Sequence, residues 1–135
     1  MFEIKIEKRW CDAVYARTSV RTFTAAPTDA QLDRLGEAAR KFSWQGIRIR
    51  LFRGPGLRAP IRGTNVYAVI LRRKSAAEEL MGFYGEAFVL EAVSMGLGTC
   101  WLGASYYKGV VQAAVKPGPD ETVGIVIALG QCAEQ

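Results

Sequence analysis

The chain has 135 residues, half of them hydrophobic and 23% charged, which predicts a single globular domain spanning residues 1–135. It contains no histidine, and this excludes Ser-His-Asp hydrolases, Cys-His proteases, HExxH metalloproteases and most zinc sites. The 18 basic and 13 acidic residues give a net charge of +5, which favours anionic partners.

Membrane, secretory and metal-binding signals are missing from the sequence. No apolar stretch reaches the roughly 20 residues that a membrane span needs, and the charged start with Glu3 and Lys5 does not match a secretory signal. Cys11, Cys100 and Cys132 lie far apart and have no zinc-like spacing. We therefore expect a cytoplasmic protein with reduced thiols, no membrane association and no metal site.

The first half of the chain predicts two helices followed by two strands. A first helix is expected to close over Asp12 to Arg17, from a start near Glu7. Thr28 to Gln31 form a capping box that opens a second helix. The alternation of Ile47 to Arg53 and the apolar run from Asn65 to Leu71 predict two strands of one sheet.

The second half predicts a long helix, a glycine-rich turn, a short helix and a strand. Ser75 to Glu78 read as a second capping box, which opens a helix whose natural stop is Gly96. Tyr106 to Val115 are expected to form a short helix that Pro117 ends. Thr122 to Leu129 predict a buried strand, so the element order favours an α+β or mixed α/β fold.

Residues 38–77 contain no acidic residue and concentrate the positive charge. Because Arg48 and Arg50 alternate with Ile47 and Ile49, the favoured interpretation is the solvated face of a strand. The alternative is a surface that attracts anions such as cofactor phosphates or nucleic acid. The basic residues of the segment are Arg40, Lys41, Arg48, Arg50, Arg53, Arg58, Arg62, Arg72, Arg73 and Lys74.

Gly96 to Gly103 read GLGTCWLG and form the first informative motif. Without a Cβ, a residue such as Gly98 lets backbone N–H groups approach a planar ligand closely. The motif follows a helix and lacks GxGxxG spacing, which argues against a Rossmann site. Cys100 and Trp101 have an alternative interpretation as core residues, and nothing near Cys100 in the sequence predicts a nucleophilic thiolate.

The second informative motif is Arg17-Thr18-Ser19-Val20-Arg21, directly after the first helix. Guanidinium groups bind phosphate oxygens bidentately, and the Ser19 hydroxyl adds a neutral donor. The motif therefore predicts a phosphate site, although an ordinary basic helix end would show the same pattern. With no histidine to act as a base, chemistry carried by an organic redox cofactor is the compatible class.

Arg17 to Phe23 (RTSVRTF) and Gly85 to Ala92, leading into GLGTCWLG, together resemble the FMN-dependent nitroreductase family. The similarity spans nearly the whole chain and is closest to the branch typified by thermophile nitroreductase-like proteins. It implies an α+β, three-layer fold with a central mixed, mostly antiparallel sheet flanked by helices. It also implies a homodimer that holds FMN at the subunit interface.

The resemblance also assigns site residues. It implies that Arg17, Ser19 and Arg21 hold the phosphate and ribityl end of FMN. It places Trp101, Leu102 and Gly103 against the isoalloxazine, with their backbone N–H groups aimed at its N5 and O4 edge. No side chain is implied as catalytic, because the flavin carries the chemistry.

Two features depart from the family pattern. Phe42 to Gly46 stand where relatives carry a proline-serine-asparagine stretch against the ring, and Ser43 and Gln45 are the remaining candidate donors. The sequence ends soon after Ala128 to Gln131, where relatives continue with a basic phosphate contact and an arm that embraces the partner subunit. The expected family member is thus shortened at its C-terminus.

The predicted function is an FMN-dependent NAD(P)H oxidoreductase that reduces nitroaromatic, quinone or similar small-molecule acceptors by hydride transfer. The alternative is a degenerate relative that binds flavin weakly or not at all and acts as a binding or interaction module. We do not expect nucleic-acid binding, because no recognition motif accompanies the basic segment.

Overall fold

The computed structural model describes residues 8–16, 19–54, 61–102 and 106–133. Its four strands form one antiparallel sheet in the order β1-β2-β4-β3. This confirms the expected α+β architecture with a mostly antiparallel sheet, and among the described residues the parallel pairings are isolated bridges such as Ser19 with Thr99. The elements in chain order are α1 (Lys8–Ala16), α2 (Asp29–Lys41), β1 (Ile47–Arg53), β2 (Val66–Arg73), α3 (Glu79–Ser94), β3 (Leu97–Leu102), α4 (Lys108–Val115) and β4 (Glu121–Gln131).

Alternate residues of the central strands bury two cores, one on each face of the sheet. On the first face, Ala68 and Ile70 of β2 pack in one cluster with Phe88 of α3 and Leu35 of α2. On the second face, the intervening β2 residues pack in another cluster with Val111 of α4. Helices therefore cover both faces, which gives the expected three layers.

Local signals explain α2 but not the start of α3. Thr28 Oγ1 accepts from the Gln31 N–H at 3.2 Å while Gln31 Oε1 accepts from the Thr28 N–H at 2.8 Å, so the first capping box is confirmed. The second is wrong: α3 begins at Glu79, and its N-cap Glu78 makes no capping hydrogen bond. Instead, Arg72 organises this turn by donating to the Ala76 carbonyl at 2.8 Å.

The glycine-rich motif is mostly a strand rather than a turn. Among the described residues of the motif, 96–102, only Gly96, at φ +88°, has the left-handed conformation of a turn, and β3 begins at the next residue. Leu97 joins the first core while Cys100 and Leu102 join the second, so side chains alternate between two buried faces. Pairing with β4 fixes this extended conformation, so the expectation of a glycine-rich turn is wrong for Leu97 to Leu102.

The helices show no membrane-crossing segment. In the part of the chain that the structure describes, none of them combines the length and hydrophobicity that a transmembrane span requires.

Candidate functional site

The structure brings the two informative motifs together at the β3 edge of the sheet. Residues 19–25, which we call the β3-edge segment, run beside the ends of β3 and β4. The Val20 N–H donates to the Thr99 carbonyl at 2.9 Å, and Ser19 lies opposite Thr99 in a parallel bridge. Further along, the Thr24 N–H donates to the Gln131 carbonyl at 2.9 Å. Ser19 is therefore fixed against the strand that carries Trp101 and Leu102, and Arg21 lies two residues further along the same segment.

Two glycines, Gly98 and Gly63, leave the space that the β3-edge segment needs to pack closely against its neighbours. A Cβ at Gly98 would lie 3.0 Å from Val20 Cγ2 and 3.1 Å from Cys132 Sγ, and a Cβ at Gly63 would overlap the Phe23 carbonyl. The space beside Gly98 is thus filled by the chain itself, which explains this glycine without a planar ligand. A contact between Gly98 and a cofactor stays a prediction.

The exposed groups of the segment have the chemistry of a phosphate site. Ser19 and Arg21 are both exposed, and within the described residues the Arg21 guanidinium has no ion-pair partner. The Arg21 carbonyl accepts from the Arg62 N–H at 2.9 Å, which holds the Arg21 backbone in place. A cation and a hydroxyl donor two residues apart on a backbone segment that is held in place suit a phosphorylated ligand. Arg17 lies outside the described residues.

Arg62 is an exposed cation at this edge that sequence reasoning did not single out. Its carbonyl accepts from the Phe23 N–H at 2.8 Å, so it is bonded on both sides to the β3-edge segment. It lies 41 positions beyond Arg21 in the sequence, within a long basic segment. No local spacing could have connected the two arginines.

Thr99 carries a buried polar atom without a partner. The residue is 1% exposed, and its Oγ1 makes no hydrogen bond in the structure. Buried hydroxyls are normally satisfied, so an orphaned one marks a position that needs explanation. Thr99 lies opposite Ser19 in the bridge. The exposed hydroxyl of Ser19 and the exposed guanidinium of Arg21 fit a phosphorylated cofactor.

Cys100 is buried in the second core and Trp101 packs half-buried against the first core, in agreement with their alternative interpretation as core residues. Cys100 is 3% exposed, and burial raises the pKa of its thiol more than the nearby Arg21 charge lowers it. The thiol therefore stays protonated at neutral pH and is a poor nucleophile. Trp101 is half-buried, and a Cβ at Gly85 of α3 would lie 2.8 Å from its ring.

Leu102 is also buried, in the second core, at 4% exposure. Any contact of Trp101 and Leu102 with a ligand ring therefore depends on the end of β3 and on backbone groups. Gly103, the third residue predicted to contact the ring, lies outside the described residues.

Ser43 and Gln45 lie at the opposite edge of the sheet, beside β1. Since β1 and β3 are separated by two strands, their edges are about 14 Å apart at roughly 4.8 Å for each spacing. The structure does not bring Ser43 and Gln45 together with Ser19 and Arg21 within one chain.

Ser43 and Gln45 differ in how far their side-chain polar atoms are hydrogen-bonded within the protein. Ser43 Oγ donates to the Ala39 carbonyl at 2.6 Å and accepts from the Ile49 N–H at 2.9 Å, which is a structural role. Gln45 is exposed in the left-handed region at φ +54°, and its Oε1 accepts from the Tyr84 hydroxyl at 2.7 Å. The Gln45 side-chain nitrogen remains an available donor among the described contacts.

The basic segment is partly neutralised by the fold. Arg48 donates to both carboxylate oxygens of Glu121, at 3.1 and 2.7 Å, and Arg73 lies 3.7 Å from Asp120. These pairs favour the strand-face interpretation over a nucleic-acid surface. The described residues contain no cluster of three or more metal-ligating side chains.

A protein-family model described as "Putative TM nitroreductase" matches residues 10–135. Among solved structures, a nitroreductase with bound FMN from Desulfitobacterium hafniense is 14% identical with a TM-score of 0.74, covering 96% of this chain and 92% of that one. A nitroreductase family protein from Clostridium difficile 630 is 11% identical with a TM-score of 0.71, covering 96% and 87%.

The FMN and NADPH-dependent nitroreductase NfnB of a Sphigopyxis strain is 18% identical with a TM-score of 0.70, covering 92% of this chain and 88% of that one. No curated protein matches the chain. At these identities the structural neighbours establish the fold, which is nitroreductase-like.

Proposed function

Since the chain belongs to the nitroreductase family whose model spans residues 10–135, we propose that it is an FMN-dependent NAD(P)H oxidoreductase. Its acceptors are nitroaromatic, quinone or similar small molecules. One observation carries the proposal: Ser19, an exposed hydroxyl, is paired with Thr99 of β3, and Arg21, an exposed cation two residues further along the same segment, is bonded to Arg62. The FMN bound in the Desulfitobacterium hafniense neighbour supports the choice of cofactor.

In this proposal, Ser19 and Arg21 hold the phosphate of FMN, with Arg17 added by the sequence motif. Trp101 and Leu102 follow Thr99 by two and three residues, about 7 to 10 Å along a strand. A ribityl chain has a comparable reach, so the ring would lie at the end of β3. Backbone N–H groups there would act as fixed donors to the ring edge, together with Gly103.

When bound, FMN supplies hydride transfer between NAD(P)H and the acceptor. The chain's own residues bind and orient, and none needs to act as acid or base. This agrees with the absence of histidine and with the raised pKa of Cys100. Trp101, half-buried against α3, would shield the ring end of the site from water.

We propose a cytoplasmic homodimer with FMN at its interface. Such an arrangement accounts for the separation of the two sheet edges, because one FMN would contact Ser19 and Arg21 of one protomer and Gln45 of the other. The exposed side-chain nitrogen of Gln45 is the available donor for this contact. Ser43, already bonded to Ala39 and Ile49, would position this loop rather than bind the ring.

Reconstitution with FMN tests the proposed function. The purified protein should retain FMN through gel filtration, elute at the mass of a dimer, and oxidise NAD(P)H in the presence of a quinone or nitroaromatic acceptor. A colourless protein that cannot be reconstituted with FMN would be incompatible with the proposal.

The second candidate is a non-catalytic relative that binds flavin weakly or not at all and acts as a binding or interaction module. It is favoured by the internal engagement of Ser43 and by the lack of an asparagine in residues 42–46. It predicts a protein that gains no NAD(P)H oxidation on addition of FMN. Sustained turnover by the FMN-loaded protein would exclude it.

A further inference from the structure

Glu91 of α3 is a buried carboxylate that the proposed function leaves without a role. It is 8% exposed and lies beside the apolar core of the first sheet face. Because burial removes the hydration of a charge, such a carboxylate needs close partners. These partners come from the other two helices of the same face.

The carboxylate is held by directional contacts. Arg9 Nη2 donates to its two oxygens at 2.8 and 2.7 Å, Trp10 Nε1 donates to Oε2 at 3.0 Å, and Arg34 Nη2 lies 3.7 Å from Oε1. Trp10 is 2% exposed and meets Phe42 edge to face at 5.7 Å. We call Arg9, Trp10, Arg34 and Glu91 the Glu91 cluster.

The cluster fixes an element that leads directly into the proposed phosphate site. Arg9 and Trp10 lie in α1, which ends at Ala16, and Ser19 follows three residues later, paired with Thr99. Glu91 lies in the last turn of α3, which leads through Gly96 into β3. One carboxylate thus connects the helix before Ser19 with the helix before Thr99.

Apolar burial alone fixes the position of such a helix poorly. α1 has nine residues, and isolated helices of this length are marginal in water. Apolar contacts are non-directional, whereas the Arg9 and Trp10 hydrogen bonds define both the position and the rotation of α1.

We propose that Glu91 is a positioning residue: through Arg9 and Trp10 it fixes α1, and thereby holds Ser19 and Arg21 against β3. The consequence for FMN binding rests on the proposed function. The fixing of α1 and of the β3-edge segment does not require FMN, and it is measured separately.

The test compares three variants of the full chain with the wild type. Glu91→Met keeps a similar volume but removes the acceptor of the Arg9 and Trp10 hydrogen bonds. Glu91→Gln keeps an acceptor oxygen and serves as the conservative variant. Asp12→Asn is the matched control, because it breaks the exposed Lys8–Asp12 pair of the same helix, in which the side chains are 92% and 72% exposed.

Amide hydrogen exchange is measured first, without FMN. In Glu91→Met, the Val20 and Thr24 amides should exchange at least about tenfold faster while central amides such as Ile127 stay protected. Glu91→Gln should stay within about threefold of the wild type, and Asp12→Asn should match it. Unchanged Val20 and Thr24 exchange in Glu91→Met would overturn the proposal.

Fluorescence titration with FMN is the second readout. Glu91→Met should bind FMN about tenfold more weakly than the wild type, with Glu91→Gln restoring most of the affinity. If Glu91→Met does not fold, Arg9→Met takes its place, since it preserves the Glu91–Trp10 bond and should show the same two changes. A wild type that binds no FMN contradicts the proposed function alone, because the exchange result still decides the role of Glu91.

Discussion

The two edges of the sheet use similar polar residues in different ways. At the β1 edge, Ser43 is bonded to Ala39 and Ile49, and Arg48 is paired with Glu121. At the β3 edge, Ser19 and Arg21 are exposed while their backbone is fixed by Thr99 and Arg62. The comparison teaches that residue type alone does not define a binding site: the polar groups must be held in place and still be left unpaired.

The difference between the two edges depends first on the close packing of the β3-edge segment against Gly63. Gly63→Ala should destabilise the protein by about 3 kcal/mol or more, because φ +88° and overlap with the Phe23 carbonyl both oppose a Cβ. Chemical denaturation measures the loss. The control is Gly109→Ala in α4, where a Cβ meets nothing within 4 Å and a gain of up to about 1 kcal/mol is expected.

The next largest effect concerns ligand binding at the β3 edge. Arg21→Ala should weaken FMN binding by about 1.5–3 kcal/mol, roughly 10- to 150-fold, through loss of a charge-assisted hydrogen bond. Arg53→Ala, which removes an exposed arginine from the β1 edge, should leave the affinity nearly unchanged. If an FMN titration shows equal losses of affinity in Arg21→Ala and Arg53→Ala, the proposal that the phosphate binds at the β3 edge is contradicted.

Substitutions at Gly98 distinguish between a packing role for this glycine and a direct contact with the cofactor. Gly98→Ala should cost about 1–2 kcal/mol of stability, since the new Cβ would press on Val20 and Cys132. If its role is packing, shortening the opposing side chain in the double variant Gly98→Ala/Val20→Ala should recover part of both stability and FMN affinity. Recovered stability without recovered affinity would instead support a direct contact between Gly98 and the cofactor.

The smallest expected effect is acid sensitivity at the β1 edge. Hydrogen bonding from Arg48 holds the pKa of Glu121 below its ordinary value of 4.5. Because the folded-state pKa is the lower one, the pair stabilises the protein above pH 4.5 and this contribution is lost as the pH falls through the folded-state value. Arg48→Met should therefore lower stability by about 1 kcal/mol at pH 7 and by progressively less below pH 4.5.

Melting temperatures of the wild type and Arg48→Met, measured from pH 3 to 7, test this prediction. The difference between the two proteins should become smaller as the pH falls. Arg50→Met is the control, since Arg50 lies 5.2 Å over the Phe52 ring and pairs with no described carboxylate. A stability difference between the wild type and Arg48→Met that does not change with pH would contradict the conclusion that the Arg48–Glu121 pair stabilises the fold.

Features set by neighbouring residues were predictable from the sequence. The Thr28 capping box was correct, and β1 was predicted with its observed bounds, Ile47–Arg53. The α3 N-cap was mispredicted: the helix begins at Glu79 without a side-chain cap. The preceding turn is held instead by Arg72 of β2, which donates to the Ala76 carbonyl at 2.8 Å, a contact that the local capping pattern does not indicate.

The candidate site was predictable in its motifs but not in its arrangement. The bridge between Ser19 and Thr99 joins residues 80 positions apart, and the filling of the Gly98 surface by Val20 arises from the same contact. The strand order likewise places Ser43 and Gln45 at the β1 edge of the sheet, opposite the β3 edge. Tertiary pairing decides all three, and no local pattern encodes it.

Titration of FMN with the purified wild-type protein tests the central claim most directly. We expect saturable quenching of flavin fluorescence with one FMN bound per protomer, weakened as the salt concentration rises because Arg21 binds the phosphate. Absence of saturable binding at low salt would contradict the claim that the β3 edge is a flavin site.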